Sequence, residues 1–100
     1  MRLHNIDIPD ARIADFCRRH DVQRLALFGS ILTDEFGPDS DVDVLVEFVP
    51  DKGPGLFGFA GMQLELTALF GRQAHLHTPD MLGPWFRDEV IREARVQYAA

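Results

Sequence analysis

The stretch of residues 41–48, DVDVLVEF, constrains the fold of this chain more than any other feature. Side chains alternate between the two faces of a strand, so Asp41, Asp43, Leu45 and Glu47 are predicted to share one face and the intervening apolar residues the other. Residues two apart on a strand have Cα atoms about 6.6 Å apart. The sequence therefore predicts a strand that is packed on one face and begins with two neighbouring carboxylates on the other.

A Gly-Ser turn precedes this strand in the sequence. Residues 22–28, VQRLALF, read as a mostly buried strand that ends at Gly29, and residues 30–36 read as a short helix capped by the Ser30 hydroxyl and closed by Gly37-Pro38. Glycine lets a ligand approach the backbone closely, and the start of a helix offers unpaired N–H groups to a phosphate. Gly29 and Ser30 are therefore candidate phosphate contacts.

The remaining elements complete a chain of alternating helices and strands. Residues 8–20 predict an amphipathic helix, residues 50–61 a turn or loop, residues 59–70 a second amphipathic helix, residues 74–77 a short strand, and residues 85–98 a last helix. This order predicts an α/β or α+β fold, in which a sheet is covered by helices.

Composition limits the classes of protein to consider. One hundred residues with 46% apolar content form a single domain, residues 1–100. A net charge of −6 argues against direct polynucleotide binding, which usually needs a basic face. No apolar run approaches the roughly 18 residues of a membrane span, so we expect a cytoplasmic protein with no membrane contact. Cys17 is the only cysteine, which excludes an intramolecular disulfide.

The paired carboxylates indicate a chemistry. Asp41 and Asp43 would repel one another unless a positive charge lies between them, and Mg²⁺ is commonly bound by one or two carboxylates together with substrate phosphates. Phosphoryl and nucleotidyl transfer depend mainly on charge neutralisation and alignment. Taken singly, the Gly-Ser pair is typical of a simple turn and the two acids of a solvated strand face. The joint pattern of strand, Gly-Ser and Asp-x-Asp favours metal and nucleotide binding.

These residues resemble a known family. Leu27-Phe28-Gly29-Ser30, with residues 40–48 (SDVDVLVEF), is similar to the signature of the polymerase-beta-type nucleotidyltransferases, and specifically of the minimal nucleotidyltransferases that act as antitoxins of HEPN-domain toxins. The resemblance implies a small mixed sheet of about three to four strands covered by four to five helices. It also implies Asp41 and Asp43 as metal ligands, and Gly29 and Ser30 as contacts of the nucleotide phosphates.

The function implied by this resemblance is AMP transfer from ATP to a tyrosine of a HEPN ribonuclease, which silences that toxin. The implied cofactor is Mg²⁺, with Mn²⁺ as an alternative, and ATP is the substrate.

The chain departs from the family pattern at two places. The resemblance implies a third carboxylate where this chain has His75, so His75 is the third candidate catalytic residue. A neutral imidazole suits Zn²⁺, Mn²⁺ or Fe²⁺ better than Mg²⁺. Residues 31–35, ILTDE, also lack the basic residue that many relatives carry, so Arg72 or another arginine would have to contact the phosphates.

Three alternatives stay open at this stage. A chain that has lost catalysis at His75 would neutralise a HEPN partner by complex formation alone. His75 and His77 share a strand face and, with the two acids, would form a site for storing or sensing a transition metal. The glycines of residues 53–58, GPGLFG, match the dinucleotide-binding pattern, but the prolines around them and the short chain argue against that use.

Overall fold

The fold is a four-stranded mixed sheet with helices packed against it. The computed structural model describes residues 2–4 and 6–100. The sheet contains β3 (Val22–Phe28), β4 (Val42–Phe48), β5 (Ala74–His77) and β6 (Arg95–Ala99), in the order β5-β4-β3-β6. A separate two-stranded hairpin, β1 (Arg2–Leu3) with β2 (Ile6–Asp7), lies at the amino-terminal end.

The helices are α1 (Asp10–Arg19), α2 (Leu56–Phe70) and α3 (Arg87–Glu93), with short 3-10 helices at Gly29–Leu32 and Pro79–Met81. Helices α1 and α2 bury the apolar faces that their spacing predicts, Ile13, Phe16 and Cys17 on α1 and Met62, Leu66 and Phe70 on α2. These residues form one core with the apolar side chains of β3 and β4. The predicted α/β mixed sheet is confirmed. No helix in the described part of the chain is long and apolar enough to cross a membrane.

The carboxyl-terminal segment differs most from the sequence prediction. Residues 85–98 were expected to form one helix, but α3 ends at Glu93 and Ala94 adopts an extended conformation (φ −60°, ψ 141°). The following residues form β6, which pairs antiparallel with β3. Val96 and Tyr98 favour strands, and the free edge of β3 offers unpaired backbone groups, so tertiary pairing overrides the helical pattern here.

Three smaller differences concern two helices and one hairpin. Helix α2 begins at Leu56, three residues before the predicted start, and so takes up part of the predicted loop. The predicted helix over residues 30–36 is only the four-residue 3-10 helix Gly29–Leu32, and its N-cap is Phe28 without a side-chain cap, not the Ser30 hydroxyl. The β1–β2 hairpin was not predicted, because its two-residue strands are too short to show a period.

The sheet topology brings the candidate residues together. Strands β3 and β4 are antiparallel, and Phe28 at the end of β3 pairs with Asp43 near the start of β4. Strands β4 and β5 are parallel, and Asp43 pairs with His75. The Gly-Ser turn, the two acids and the two histidines of β5 therefore meet at one end of the sheet.

Candidate active site

Gly29 and Asp43 are in direct contact at the centre of this site. Gly29 has φ +79°, and a Cβ atom built on it would lie 2.5 Å from the Oδ2 atom of Asp43. A Cβ atom at position 29 would force that carboxylate to shift, and the positive φ alone disfavours other residues. Glycine in the turn after β3 therefore allows the carboxylate of Asp43 to lie against the backbone.

Ser30 follows at the start of the 3-10 helix Gly29–Leu32. Its carbonyl oxygen accepts hydrogen bonds from the backbone N–H of Thr33 (2.9 Å) and from the Thr33 hydroxyl (2.9 Å). These bonds fix the turn without using the Ser30 hydroxyl. The predicted contacts of Gly29 and Ser30 with a nucleotide phosphate stay predictions, although the structure places Gly29 against the carboxylate of Asp43.

Each acid is paired with a histidine of β5. The Nε2 atom of His75 lies 2.8 Å from Oδ2 of Asp41, within hydrogen-bond distance. The Nε2 atom of His77 lies 3.6 Å from Oδ1 of Asp43, and the ring of His77 packs edge-on to Phe28 with centroids 5.2 Å apart. Parallel pairing of β4 with β5 thus produces two neighbouring carboxylate–imidazole pairs.

The two pairs differ in their solvation. The side chains of His75 and Asp41 are 45% and 43% exposed, whereas those of His77 and Asp43 are 29% and 32% exposed. The Nε2 atom of His77 is buried and has no hydrogen-bond partner among the described residues. Buried polar atoms are normally hydrogen-bonded, so this nitrogen is an exception within the site.

Arg72 lies in the turn between α2 and β5 and contacts the loop before Asp41. Its Nη2 atom donates to the carbonyl oxygens of Gly37 (2.7 Å) and Ser40 (2.5 Å). The guanidinium also lies over the ring of Phe36, with Cζ 4.7 Å from the centroid. The predicted contact of Arg72 with phosphate stays a prediction, and the observed contacts are all with this loop.

The donor set suits a hard divalent cation that arrives with its own ligands. Asp41 and Asp43 provide oxygen ligands, which Mg²⁺ and Mn²⁺ prefer, and both are accessible. Within residues 2–4 and 6–100, no three His, Cys, Asp or Glu side chains are grouped so as to hold an ion by themselves. Asp41 and Asp43 therefore suit a cation that takes its other ligands from substrate phosphates, and metal binding at this site stays a prediction.

A cleft borders the Gly-Ser turn on the side of α3. It has a volume of about 560 Å³ and is lined by Phe28, Gly29, Leu32, Thr33, Glu89, Val90 and Glu93. The sequence did not indicate the α3 residues of this lining, because they are distant in the chain and follow no motif. A second groove of about 400 Å³ includes Gly53, Gly55 and Leu56 but none of the candidate site residues. The glycine-rich segment is therefore not part of this site.

Comparison with known proteins identifies the class to which this fold and site belong. The family model for the nucleotidyltransferase domain matches residues 11–98. A solved structure assigned as a minimal nucleotidyltransferase is 33% identical, with a TM-score of 0.70, and the match covers 85% of each chain. The chain belongs to the nucleotidyltransferase domain family and, within it, resembles the minimal nucleotidyltransferases, as its motifs predicted.

Two relatives are named for a particular activity. A Methanocaldococcus jannaschii protein assigned as a protein adenylyltransferase is 30% identical over 90 residues, which cover 90% of this chain and 95% of the relative. The protein adenylyltransferase MntA of Thermococcus cleftensis is 35% identical over 75 residues, which cover 75% of this chain and 74% of the relative. The prediction of a nucleotidyltransferase-class enzyme is confirmed at this level.

More distant structures share the fold. A crystal structure of a toxin-antitoxin with AMP-PNP has a TM-score of 0.73 and 15% identity, and covers 93% of this chain and 75% of that chain. The MntA-HepT toxin-antitoxin structure has a TM-score of 0.65 and 14% identity, and covers 91% of this chain and 70% of that chain. At such identities the likeness extends to the fold alone.

Proposed function

We propose that this chain is an antitoxin that transfers AMP from ATP to a tyrosine of a partner HEPN ribonuclease toxin and thereby neutralises it. The observation that carries the proposal is the contact between Gly29 and the Asp43 carboxylate, with Asp41 two residues earlier. A carboxylate held against a tight turn beside a second carboxylate is an arrangement suited to a nucleoside triphosphate and its cation.

The proposed reaction is a nucleotidyl transfer. The phenolic oxygen of the tyrosine forms a bond to the α-phosphorus of ATP, the bond from that phosphorus to the oxygen leading to the β-phosphate breaks, pyrophosphate leaves, and the phenolic proton passes to solvent. Asp41 and Asp43 would hold Mg²⁺ or Mn²⁺, which neutralises charge on the triphosphate when bound. Gly29 and Ser30 would contact the triphosphate through the backbone of their turn.

His75 has a proposed supporting role in this reaction. Its Nε2 atom is within hydrogen-bond distance of Asp41, so the imidazole orients one of the two acids. We propose His75 as part of the catalytic group on this contact. The variant His75→Asn keeps a polar group at this position without an ionisable ring, and we expect it to slow AMP transfer more than it weakens ATP binding.

The partner and acceptor are inferred from relatives. The relatives named above include protein adenylyltransferases, and the structures that share the fold include MntA-HepT toxin-antitoxin complexes. The net charge of −6 suits a basic protein partner such as a ribonuclease and disfavours direct polynucleotide binding. We accordingly place this chain in the cytoplasm with a HEPN-domain toxin as its partner.

Mass spectrometry of the partner tests the proposal. The protein encoded beside this chain, which we expect to contain a HEPN domain, is incubated with purified chain, ATP and Mg²⁺, and its intact mass and modified residue are determined. We expect the mass to rise by one or more AMP groups, located on tyrosine. Asp43→Asn should reduce the rate by about 10²-fold or more, since it weakens electrostatic stabilisation at the reacting phosphate.

Asp34→Asn is the matched control, because Asp34 is an exposed carboxylate in the same loop but outside residues 37–40, which lead directly into Asp41. It should transfer AMP at the wild-type rate. An unmodified partner with Mg²⁺ and with Mn²⁺ would contradict the proposal.

A second function is favoured by one observation. The neighbour of Asp43 on β5 is His75 and not a third acid, so the site carries less negative charge than the family pattern implies. The chain would then neutralise its partner by complex formation alone. In that case Asp41→Asn with Asp43→Asn should protect cells from the toxin as well as the wild type does. Loss of protection with unchanged binding would exclude this function.

A further inference from the structure

Arg72 makes an unusual set of contacts for a residue predicted to bind phosphate. It directly follows Gly71, the left-handed residue (φ +70°) that ends α2. A single guanidinium nitrogen, Nη2, donates to the carbonyl oxygens of both Gly37 and Ser40. Two close acceptors on one donor group indicate that these carbonyls have been brought together by the local chain.

The two carbonyls belong to one tight turn, which we call turn 37–40. The backbone N–H of Ser40 donates to the carbonyl oxygen of Gly37 (3.1 Å), and the N–H of Gly37 donates to the Ser40 hydroxyl (2.9 Å). Arg72 therefore closes a turn that is already cross-linked by its own backbone and side chain. Hydrogen bonds from a charged donor are among the stronger ones in proteins.

Aromatic packing holds the guanidinium in place. Phe36, just before turn 37–40, is 8% exposed, and the Cζ atom of Arg72 lies 4.7 Å from its ring centroid. The ring of His4 packs near the same phenyl ring, with centroids 5.0 Å apart, and His4 Nε2 lies 3.0 Å from the carbonyl oxygen of Ile31. A planar guanidinium suits this stacking, and a lysine ammonium does not reproduce it.

The contacts of Arg72 fix the backbone on one side of Asp41, and those of Gln73 fix it on the other. Asp41 precedes the first residue of β4, so strand pairing does not hold it. The carbonyl of Ser40, just before Asp41, is held by Arg72, and the N–H of Val42, just after it, donates to the carbonyl of Gln73 (2.9 Å). Two consecutive residues of the α2–β5 turn thus bracket one of the two acids.

We propose that Arg72 is a positioning residue, which clamps turn 37–40 and thereby sets Asp41 for binding a divalent cation, and is not itself a phosphate ligand. The assignment of a cation to Asp41 rests on the proposed function. The clamping of turn 37–40 by Arg72 rests on the observed contacts of Arg72. An outer residue that orients a metal ligand usually changes metal affinity by about 10- to 100-fold when it is lost. A phosphate ligand would instead change nucleotide affinity and leave the binding of cation alone unaltered.

Three variants separate these roles. Arg72→Ala removes the clamp, Arg72→Lys keeps the charge without the planar group, and Ser40→Ala loosens turn 37–40 from its other side. Arg87→Ala is the matched control, since Arg87 also donates to two backbone carbonyls, those of Pro79 (2.8 Å) and Leu82 (3.1 Å), outside the site. Hydrogen exchange of residues 37–42 and Mn²⁺ affinity without nucleotide, measured by electron paramagnetic resonance, are the two readouts.

We expect faster exchange over residues 37–42 and Mn²⁺ affinity weaker by about tenfold or more in Arg72→Ala. Arg72→Lys should recover little of either loss, Ser40→Ala should show smaller changes in the same direction, and Arg87→Ala should match the wild type. Unchanged exchange in Arg72→Ala, or full recovery in Arg72→Lys, would overturn the clamp. If the wild type binds no Mn²⁺ without nucleotide, hydrogen exchange alone decides the clamp; if it binds none with ATP either, the metal assignment of the proposed function is contradicted.

Discussion

At the scale of single residues, Gly29 controls where the Asp43 carboxylate lies. Gly29→Ala places a methyl group 2.5 Å from the Asp43 Oδ2 atom at a positive φ. We expect a loss of about 1–2 kcal/mol from the left-handed backbone, and a further loss of AMP transfer because the carboxylate must move. Chemical denaturation and the transfer assay measure the two effects separately.

Gly71→Ala is the control for the backbone contribution. Gly71 has φ +70°, and a Cβ atom there would have no neighbour within 4 Å. The variant Gly71→Ala should lose a similar amount of stability and retain AMP transfer. Equal transfer by the two variants would show that displacing Asp43 does not matter to the reaction.

Cys17 is expected to be chemically inert. It is fully buried on α1, and this burial raises the pKa of its thiol to about 12, with the nearby Arg18 acting weakly in the opposite direction. The thiol is therefore protonated at neutral pH. Alkylation by iodoacetamide should proceed only as the protein unfolds, and rapid alkylation of the native protein would contradict this assignment.

Glu65 predicts a pH dependence of stability. The guanidinium of Arg19 on α1 hydrogen-bonds the carboxylate of Glu65 on α2 and is the main cause that lowers the pKa of Glu65 below the ordinary 4.5. A hydrogen bond with His20 lowers this pKa further. A lowered folded-state pKa adds stability that is present above pH 4.5 and lost as the pH falls through the folded-state pKa.

Glu65→Gln tests this dependence. We expect it to cost up to about 1 kcal/mol at neutral pH, since the pair is partly exposed. The difference from the wild type in urea denaturation should shrink well below pH 4.5. A difference that stays constant with pH would contradict the assignment.

Local residue patterns selected four of the six candidate site residues, and comparison with the family pattern added His75 and Arg72. The motif and the period of two were enough to select Gly29, Ser30, Asp41 and Asp43, because these features are local. The contact of His75 with Asp41 and the contacts of Arg72 with turn 37–40 depend on strand register and on a turn distant in the chain. Arg72 is predicted to contact phosphate because residues 31–35 carry no basic residue, and that contact stays a prediction.

At the scale of elements, the sequence predicts one edge strand of the sheet and misses the other. The edge strand β5 was predicted with its observed bounds, Ala74–His77, because glycine and a proline punctuate it. Residue spacing predicts helix where the other edge strand, β6, lies. This prediction is wrong because the strand depends on pairing with β3, which is distant in the sequence. A strand at an edge is decided by the partner that is available more than by its own pattern.

Helix α2 protects the outer edge of β5 through side chains. The Thr67 hydroxyl accepts a hydrogen bond from the N–H of Ala74 (3.0 Å) and donates to the carbonyl of Gln63 (2.9 Å), and the Gln63 side-chain oxygen accepts from the N–H of Leu76 (2.9 Å). Backbone groups that an edge strand would leave unpaired are satisfied in this way. These bonds fix the strand that carries His75 and His77.

Thr67→Val tests this protection. It preserves shape but leaves the N–H of buried Ala74 unpaired, so we expect a loss of about 1–3 kcal/mol of unfolding free energy. Hydrogen exchange at Ala74 should also become faster. Thr33→Val is the control. The Thr33 side chain is exposed, so removal of its hydroxyl should change the free energy of unfolding by only about 0.5 kcal/mol. Equal losses in the two variants would argue against a role for Thr67 at the edge.

At the scale of the whole molecule, the order of the strands brings residues from separate sequence motifs together in one site. The order β5-β4-β3-β6 places the end of β3 and the start of β4 side by side, with β5 next to them. The alternation of elements was sufficient to predict an α/β or α+β fold, and the family resemblance implied a mixed sheet of about three to four strands. The alternation could not give the strand order or the α3 lining of the cleft, because both depend on contacts between distant parts of the chain.

Paramagnetic broadening by Mn²⁺ bound with ATP tests the central claim, that the nucleotide and its cation bind where Gly29 meets Asp43. Backbone amide resonances of an isotope-labelled chain are followed as the complex is added. We predict broadening centred on Gly29, Ser30 and residues 41–43, with residues 53–58 of the glycine-rich segment unaffected, and its loss in Asp43→Asn. Broadening centred on the glycine-rich segment, or none at saturating nucleotide, would contradict the account.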